Sequence, residues 1–288
     1  MKTLKYVNPL GEELIFTNSA PFILQKYTQG TGVNNYSTKS SGQDGEAYVG
    51  SNIAETDISL EIGVKGQTNE LYRKYRETLR QIFNPKLGQG TLVYNDGDKD
   101  CNIKCIIEKI PFLTDINNRT GKGVISLLAN DPFWEDLVET REEIAYWIGD
   151  FSFELEIPID TGIEMGHREP SLIVNCLNEG DTESGMRIEF KALATLTNPS
   201  LFNVYTREYI KINKSMAAGE SISVTTYFGN KQIISTLNGV ESNSFNYIDP
   251  GSTFLQLDKG DNLLRYNAET GLDNLEVYIY HKNRFLGV

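Results

Sequence analysis

The segment Asp96-Gly97-Asp98-Lys99-Asp100-Cys101 sets three carboxylates at alternate positions. A calcium loop places oxygen ligands this way at its positions 1, 3 and 5. It also needs glycine at position 6 and a bidentate glutamate at position 12. Cys101 and Ile107 stand there instead, so the segment predicts a polar hairpin between the runs 91–95 and 102–109. Cys101 and Cys105 lie four apart on a strand-like run, about 13 Å along an extended chain. That is too far for one disulfide or one zinc ion. With Cys176 they read as small reduced residues. The two histidines, His167 and His281, are scattered, and no G-x-S-x-G elbow, H-E-x-x-H or P-loop occurs. The expectation is no catalytic set, no metal and no cofactor.

Two chemistries remain as alternatives. A glycosidase needs only two carboxylates, and 39 acidic residues guarantee that some lie close, which gives that signal little specificity. A carbohydrate-binding β-sandwich adhesin, stacking an exposed aromatic on a cell-wall sugar, is the stronger rival. Tyr205, Tyr209, Tyr227, Tyr247, Tyr266, Tyr278 and Tyr280 supply rings, although most occupy alternating strand positions where packing accounts for them.

The elements that would position these residues are mostly strands. Alternating runs occupy 13–17, 57–64, 91–95, 102–109 and 123–129. Residues 29–53, rich in Gly, Ser, Thr and Asn, predict a long polar loop suited to contacts in an assembly. One amphipathic helix is expected over about 69–83, with Leu71, Tyr75, Leu79, Ile82 and Phe83 on one face. Thr68 or Asn69 caps its start and Asn84-Pro85 ends it. Its Arg73, Arg76 and Arg80 are the concentrated positive charge of the chain and a candidate protein-contact surface. In the second half, strands are expected at 151–158, 171–176, 186–193, 208–213, 221–235, 252–257, 262–267 and 276–281. Turns fall at 228–231 and 258–261. The spacing fits a β-sandwich or jelly roll.

The chain has 288 residues, 39% hydrophobic and 10% aromatic, which suits two domains with real cores. We place them at 1–136 and 137–288, with an acidic connector at 137–150. A net charge of −12 repels phosphate backbones, so a basic nucleic-acid face is not expected, nor is attraction to anionic membranes. No apolar run approaches a membrane span or a secretory h-region, which predicts synthesis in a cytoplasm.

Between the two halves stands Ala129-Asn130-Asp131-Pro132-Phe133-Trp134-Glu135-Asp136. Pro132 removes a ladder donor and fixes φ, ending the preceding strand. Asp131, Pro132, Phe133 and Trp134 therefore read as a structural joint, with both aromatics packed on the first domain.

Several pieces in this order resemble the distal tail protein family of long-tailed phages, the siphovirus tail component. They are the polar loop ending in Gly42-Gln43-Asp44-Gly45, DISLEIGV, a helix leading into LRQIFNPKLGQGTLVY, IKCIIEKI, and the strand closing on ANDPFW. In the second half come NPSLFNVYTREYIKIN, LDKGDNLLRYN and a final RFLGV. The resemblance implies a mainly β chain with one helix: an N-terminal β-barrel or split-barrel-like domain, then a galectin-like, carbohydrate-module-like β-sandwich. It implies a homo-hexameric ring at the virion tail tip. That ring would join the major tail tube protein to the tail-associated lysin or tip protein, and could hold a receptor-binding protein or touch cell-wall carbohydrate. It would be a structural baseplate hub without turnover, with Asp44, Gly45 and the basic helix as assembly surfaces. A ring requires a heterologous interface whose rotation closes.

Overall fold

The computed structural model describes residues 3–97, 99–145, 147–149, 166–168 and 172–288, with 145, 147–149 and 166–168 as backbone alone. The strand expected at 151–158, Asp98 of the acidic turn and the His167 side chain lie outside the described residues. The chain divides into two compact units, Met1–Leu137 with Phe285–Val288, and Val138–Arg284.

The first unit holds β1 (Thr3–Val7), β2 (Glu13–Phe16), β3 (Phe22–Thr38), β4 (Ala47–Lys65), α1 (Asn69–Ile82), β5 (Gly90–Asn95), β6 (Asp100–Asn117), β7 (Thr120–Ala129) and β8 (Trp134–Asp136). They pair in the order β2-β1-β5-β6-β7-β4-β3, with β8 added against β6. Alternation builds the core. Leu4 and Tyr6 of β1, Leu92 of β5, and Ile58, Leu60, Ile62 and Val64 of β4 all turn inward. The helix begins where the Thr68 side chain accepts a hydrogen bond from the Leu71 N–H at 3.2 Å. It lays Tyr72, Leu79 and Ile82 on the core, with Phe83 beyond them stacked on Tyr6 at 4.4 Å. Leu71 and Tyr75, expected inside, are only half-buried, and Tyr72 takes the deeper place.

One expectation is corrected outright. Residues 29–53 are not a loop but the outer halves of β3 and β4, and only 39–46 leave the ladder. Gln29 sits opposite Ile58, Asn34 opposite Asn52 and Thr38 opposite Ala47. Beyond the core both faces of this hairpin meet water, so inward apolar residues are not needed and the period-2 signal disappears.

In the second unit two sheets enclose a separate core. The larger runs Val240–Asn243, Gln232–Leu237, Ser221–Thr225, Met186–Ala192, Leu275–His281 and Thr140–Ala145; the smaller runs Ile173–Asn178, Gly260–Asn267, Ser200–Asn203 and Tyr209–Lys211. Ile188, Phe190, Val224 and Ile279 of the larger sheet, with Leu201, Ile210 and Leu264 of the smaller, are buried in one cluster. This is a β-sandwich. The acidic segment expected as a connector contributes an edge strand, Thr140–Ala145, paired with Leu275–His281. Charges on an edge strand guard it against stray pairing, and here they read as a linker. Residues 252–257 are not a strand. Leu255 and Leu257 are buried, but a lone bridge to Ser184 is the only ladder contact there among the described residues. Alternating burial without neighbours to pair with misled the reading.

Cys101, Cys105 and Cys176 are all free and buried. Glu220, also buried, accepts from the Lys214 ammonium, the Ser235 hydroxyl and the Ala217 N–H.

Candidate functional site

The joint is built around Trp134. Its side chain is wholly buried in the first core, edge-on to Tyr94 with ring centroids 6.3 Å apart. Its indole N–H donates to Gln29 Oε1 at 3.1 Å, and the Tyr27 hydroxyl donates to the same oxygen at 2.8 Å. The Gln29 amide nitrogen in turn donates to the Leu286 carbonyl at 3.2 Å. Pro132 is buried and its carbonyl accepts from Thr56 Oγ1 at 3.4 Å. Asp131 is exposed and accepts from the Phe133 N–H at 3.4 Å, the geometry of a turn side chain. Phe133 is only half-buried, so of the two aromatics Trp134 alone is a core residue.

In the acidic turn, Asp96 Oδ1 accepts from the Lys99 N–H at 2.9 Å, and Asn95 donates its side-chain amide to Asp100. Those carboxylates serve the hairpin.

The outer part of the β3–β4 hairpin ends at Asp44 and Gly45, the latter at φ 76°, which suits glycine at a reversing tip. Along it Val33, Tyr36, Tyr48 and Val49 are exposed, Tyr48 by 69%. Their hydroxyls bond within the hairpin, Tyr36 to Asn52 at 3.3 Å and Tyr48 to Ser51 at 2.9 Å. The rings remain in water.

On α1 the three arginines divide. Arg76 pairs with Asp115 at 3.1 Å and lies over the Tyr72 ring, whose hydroxyl also meets Asp115. That arginine ties the helix to the end of β6. Arg73 and Arg80 are exposed and have no ion pair among the described residues.

Sequence reasoning missed a further surface. Ile110, Phe112 and Val124 are exposed at the outer end of β6 and β7, Phe112 by 77%, and Phe112 sits directly opposite Val124 in the ladder. The signal was available in Ile110-Pro111-Phe112. Proline and a shift of register there put large apolar residues on the wet face.

The first unit is thus an antiparallel sheet with an overlong hairpin and exposed apolar and basic surface, and the second is a two-sheet sandwich. Residues 10–129 match the phage tail protein RIFT-related domain, and residues 179–285 match the siphovirus-type tail component, C-terminal domain. The chain belongs to the siphovirus tail component family, the distal tail and baseplate proteins of the virion tail tip. A comparison with curated protein sequences gives no match. Among solved structures it is similar to the SPP1 Dit (gp 19.1) protein, described as a paradigm of hub adsorption apparatus in Gram-positive infecting phages. The TM-score is 0.69 at 12% identity, over 99% of each chain. It is also similar to a chain of the phage P2 baseplate in its activated conformation with calcium, with TM-score 0.54 and 13% identity over 98% of each chain. These likenesses extend over both units and establish the fold as mainly β with one helix.

Proposed function

We propose that this structural tail component forms a closed ring, hexameric by family resemblance, that joins the tail tube to the tail-associated lysin or tip protein. The first unit builds the ring, and the second is free to meet receptor-binding proteins or the cell surface. The observation that carries the reading is the β3–β4 hairpin. Strands of 17 and 19 residues outrun the core and hold Val33, Tyr36, Tyr48 and Val49 in water. A monomer gains nothing from ordering so exposed an apolar arm, whereas a neighbour that covers it buries each ring for about 1.5–3 kcal/mol. The position of β3 at the end of the sheet order leaves a free edge beside the same arm. Membership in a tail family adds the setting, and the hub and baseplate roles described for similar structures fit it.

Mass photometry and negative-stain electron microscopy of the purified chain test this directly. Rings, alone or on adding the tail tube protein, are expected. Shortening the hairpin by removing 33–53, which face each other in the ladder, and closing it with a two-residue turn should leave a folded monomer that no longer assembles. A wild-type chain that stays monomeric with both tail partners present would refute the reading.

A further inference from the structure

Beyond the ring, the second unit carries a groove at the free edge of its larger sheet, and its chemistry is specific. Ile234 and Asn243 are opposite partners in the ladder, as are Thr236 and Glu241. Gln232 lies two residues before Ile234, so Gln232, Ile234, Asn243 and Glu241 share one face by the period of the strand. Ile233, between them, points the other way into the core. Phe245 closes one end, stacked on Phe254 at 5.9 Å, and Lys231 closes another, above Phe254 at 5.0 Å. Lys231, Gln232, Ile234, Glu241, Asn243 and Phe245 line a cavity of about 280 Å³.

The hydrogen-bonding groups on this rim are largely uncommitted. Asn243 Oδ1 accepts the Phe245 N–H at 2.9 Å, which fixes the side chain and leaves both amide protons aimed elsewhere. Gln232 donates to Asn230 at 2.5 Å and keeps its carbonyl oxygen. The Glu241 carboxylate and the Lys231 ammonium have no ion pair among the described residues. An apolar floor of Ile234 and an exposed phenyl ring is thus edged by amide donors, an amide acceptor, one carboxylate and one ammonium.

A pyranose ring has the complementary build: one face of C–H groups and a rim of hydroxyls that each donate and accept. The formal charges of Lys231 and Glu241 cancel, so nothing in the groove selects a charged ligand, and the surrounding chain at −12 disfavours an anionic one. The aromatic face around Tyr280 is closed to such stacking. Tyr280 lies directly between Arg187 and Arg141 in the ladder, with guanidinium carbons 3.7 and 6.0 Å from its centroid. The geometry points to the groove of Ile234, Asn243, Glu241 and Phe245 as a binding site for a neutral saccharide unit. The site stands independently of ring formation.

The test is a titration of the ¹⁵N-labelled full chain with glucose, galactose, rhamnose and N-acetylglucosamine, and with their trisaccharides. N-acetylneuraminic acid and glucosamine serve as charged controls. At least one neutral sugar should give saturable shifts confined to 231–234 and 241–245 at millimolar concentration. Phe245→Ala should abolish them. Because Phe245 also packs on Phe254, Asn243→Ala provides the second variant, expected to weaken binding about tenfold or more, with melting lowered by no more than the loss of its one exposed turn hydrogen bond to the Phe245 N–H brings. Absence of shifts with every neutral sugar, shifts elsewhere on the chain, undiminished binding in both variants, or binding of the charged controls alone would each overturn the assignment. Rings formed by the Asn243→Ala chain show that the groove and the assembly are separate properties.

Discussion

The indole nitrogen of Trp134 and the side-chain oxygen of Gln29 are 3.1 Å apart, a bond that ties the end of the first unit's sheet to the root of its long hairpin. The two residues are separated by 105 positions in the chain. Trp134→Ala should destabilise the first unit by about 3–5 kcal/mol, because the whole side chain is buried. Trp134→Phe keeps most of the packing and removes the donor, and should cost about 1–3 kcal/mol. Urea denaturation followed by circular dichroism measures both. A stable Trp134→Ala chain would mean the joint does not depend on this side chain.

Gly121 offers a sharper probe of how the helix is seated. A Cβ there would stand 2.1 Å from the Tyr72 hydroxyl and 3.2 Å from the Thr114 carbonyl oxygen. Gly121→Ala should push Tyr72 away from Asp115, at a cost of about 1–3 kcal/mol. Hydrogen exchange should quicken first in α1. Unaltered exchange in the helix would show that the tyrosine relaxes freely.

Acid should act on the second unit through Glu220. Burial by itself would raise its pKa. The Lys214 ammonium, the Ser235 hydroxyl and the Ala217 N–H outweigh that and hold it below the usual glutamate value. A carboxyl with a lowered folded pKa contributes stability above its unfolded pKa, about 4.3, and loses it as pH falls through the folded one. The wild-type second unit should therefore weaken progressively below about pH 4, and Glu220→Gln should flatten that dependence. Lys214→Met alone strands a buried carboxylate and should cost about 3–5 kcal/mol, largely recovered in the double variant. Thermal melts across acid pH read all three.

Phe112→Ser should leave the isolated chain within about 0.5 kcal/mol of wild type, since its ring is already in water. Sedimentation velocity should show weaker association with itself or with a tail partner. Unchanged association would remove the β6–β7 end from the assembly surfaces.

The sequence made some of this legible and hid the rest for identifiable reasons. The helix was clear because Leu79, Ile82 and Phe83 recur on one face and Thr68 and Pro85 bracket it. The strands that face a core were clear by alternation, as in Ile58, Leu60 and Ile62. The outer halves of β3 and β4 were not, because a strand wetted on both sides has no face to mark. Nor was Gln29 conspicuous, since a single glutamine in a polar run gives no hint that it bonds Trp134 and Leu286. Thr140–Ala145 was disguised by its own charges, which protect an edge. The family resemblance rested on the order of short motifs and so could reach both units, while single side-chain roles such as the split among Arg73, Arg76 and Arg80 needed coordinates.

The three buried cysteines carry a consequence for the particle after it leaves its host. Oxidation and disulfide exchange proceed through the thiolate. Burial pushes the Cys105 and Cys176 thiols up to about 12 and raises Cys101 as well. In aerated surroundings near neutral pH these sulfurs stay protonated and out of reach of peroxide or a neighbouring thiol. For a tail tip made from this chain the expected outcome is that all three thiols still titrate as free after storage in air, read by a thiol assay on the denatured protein.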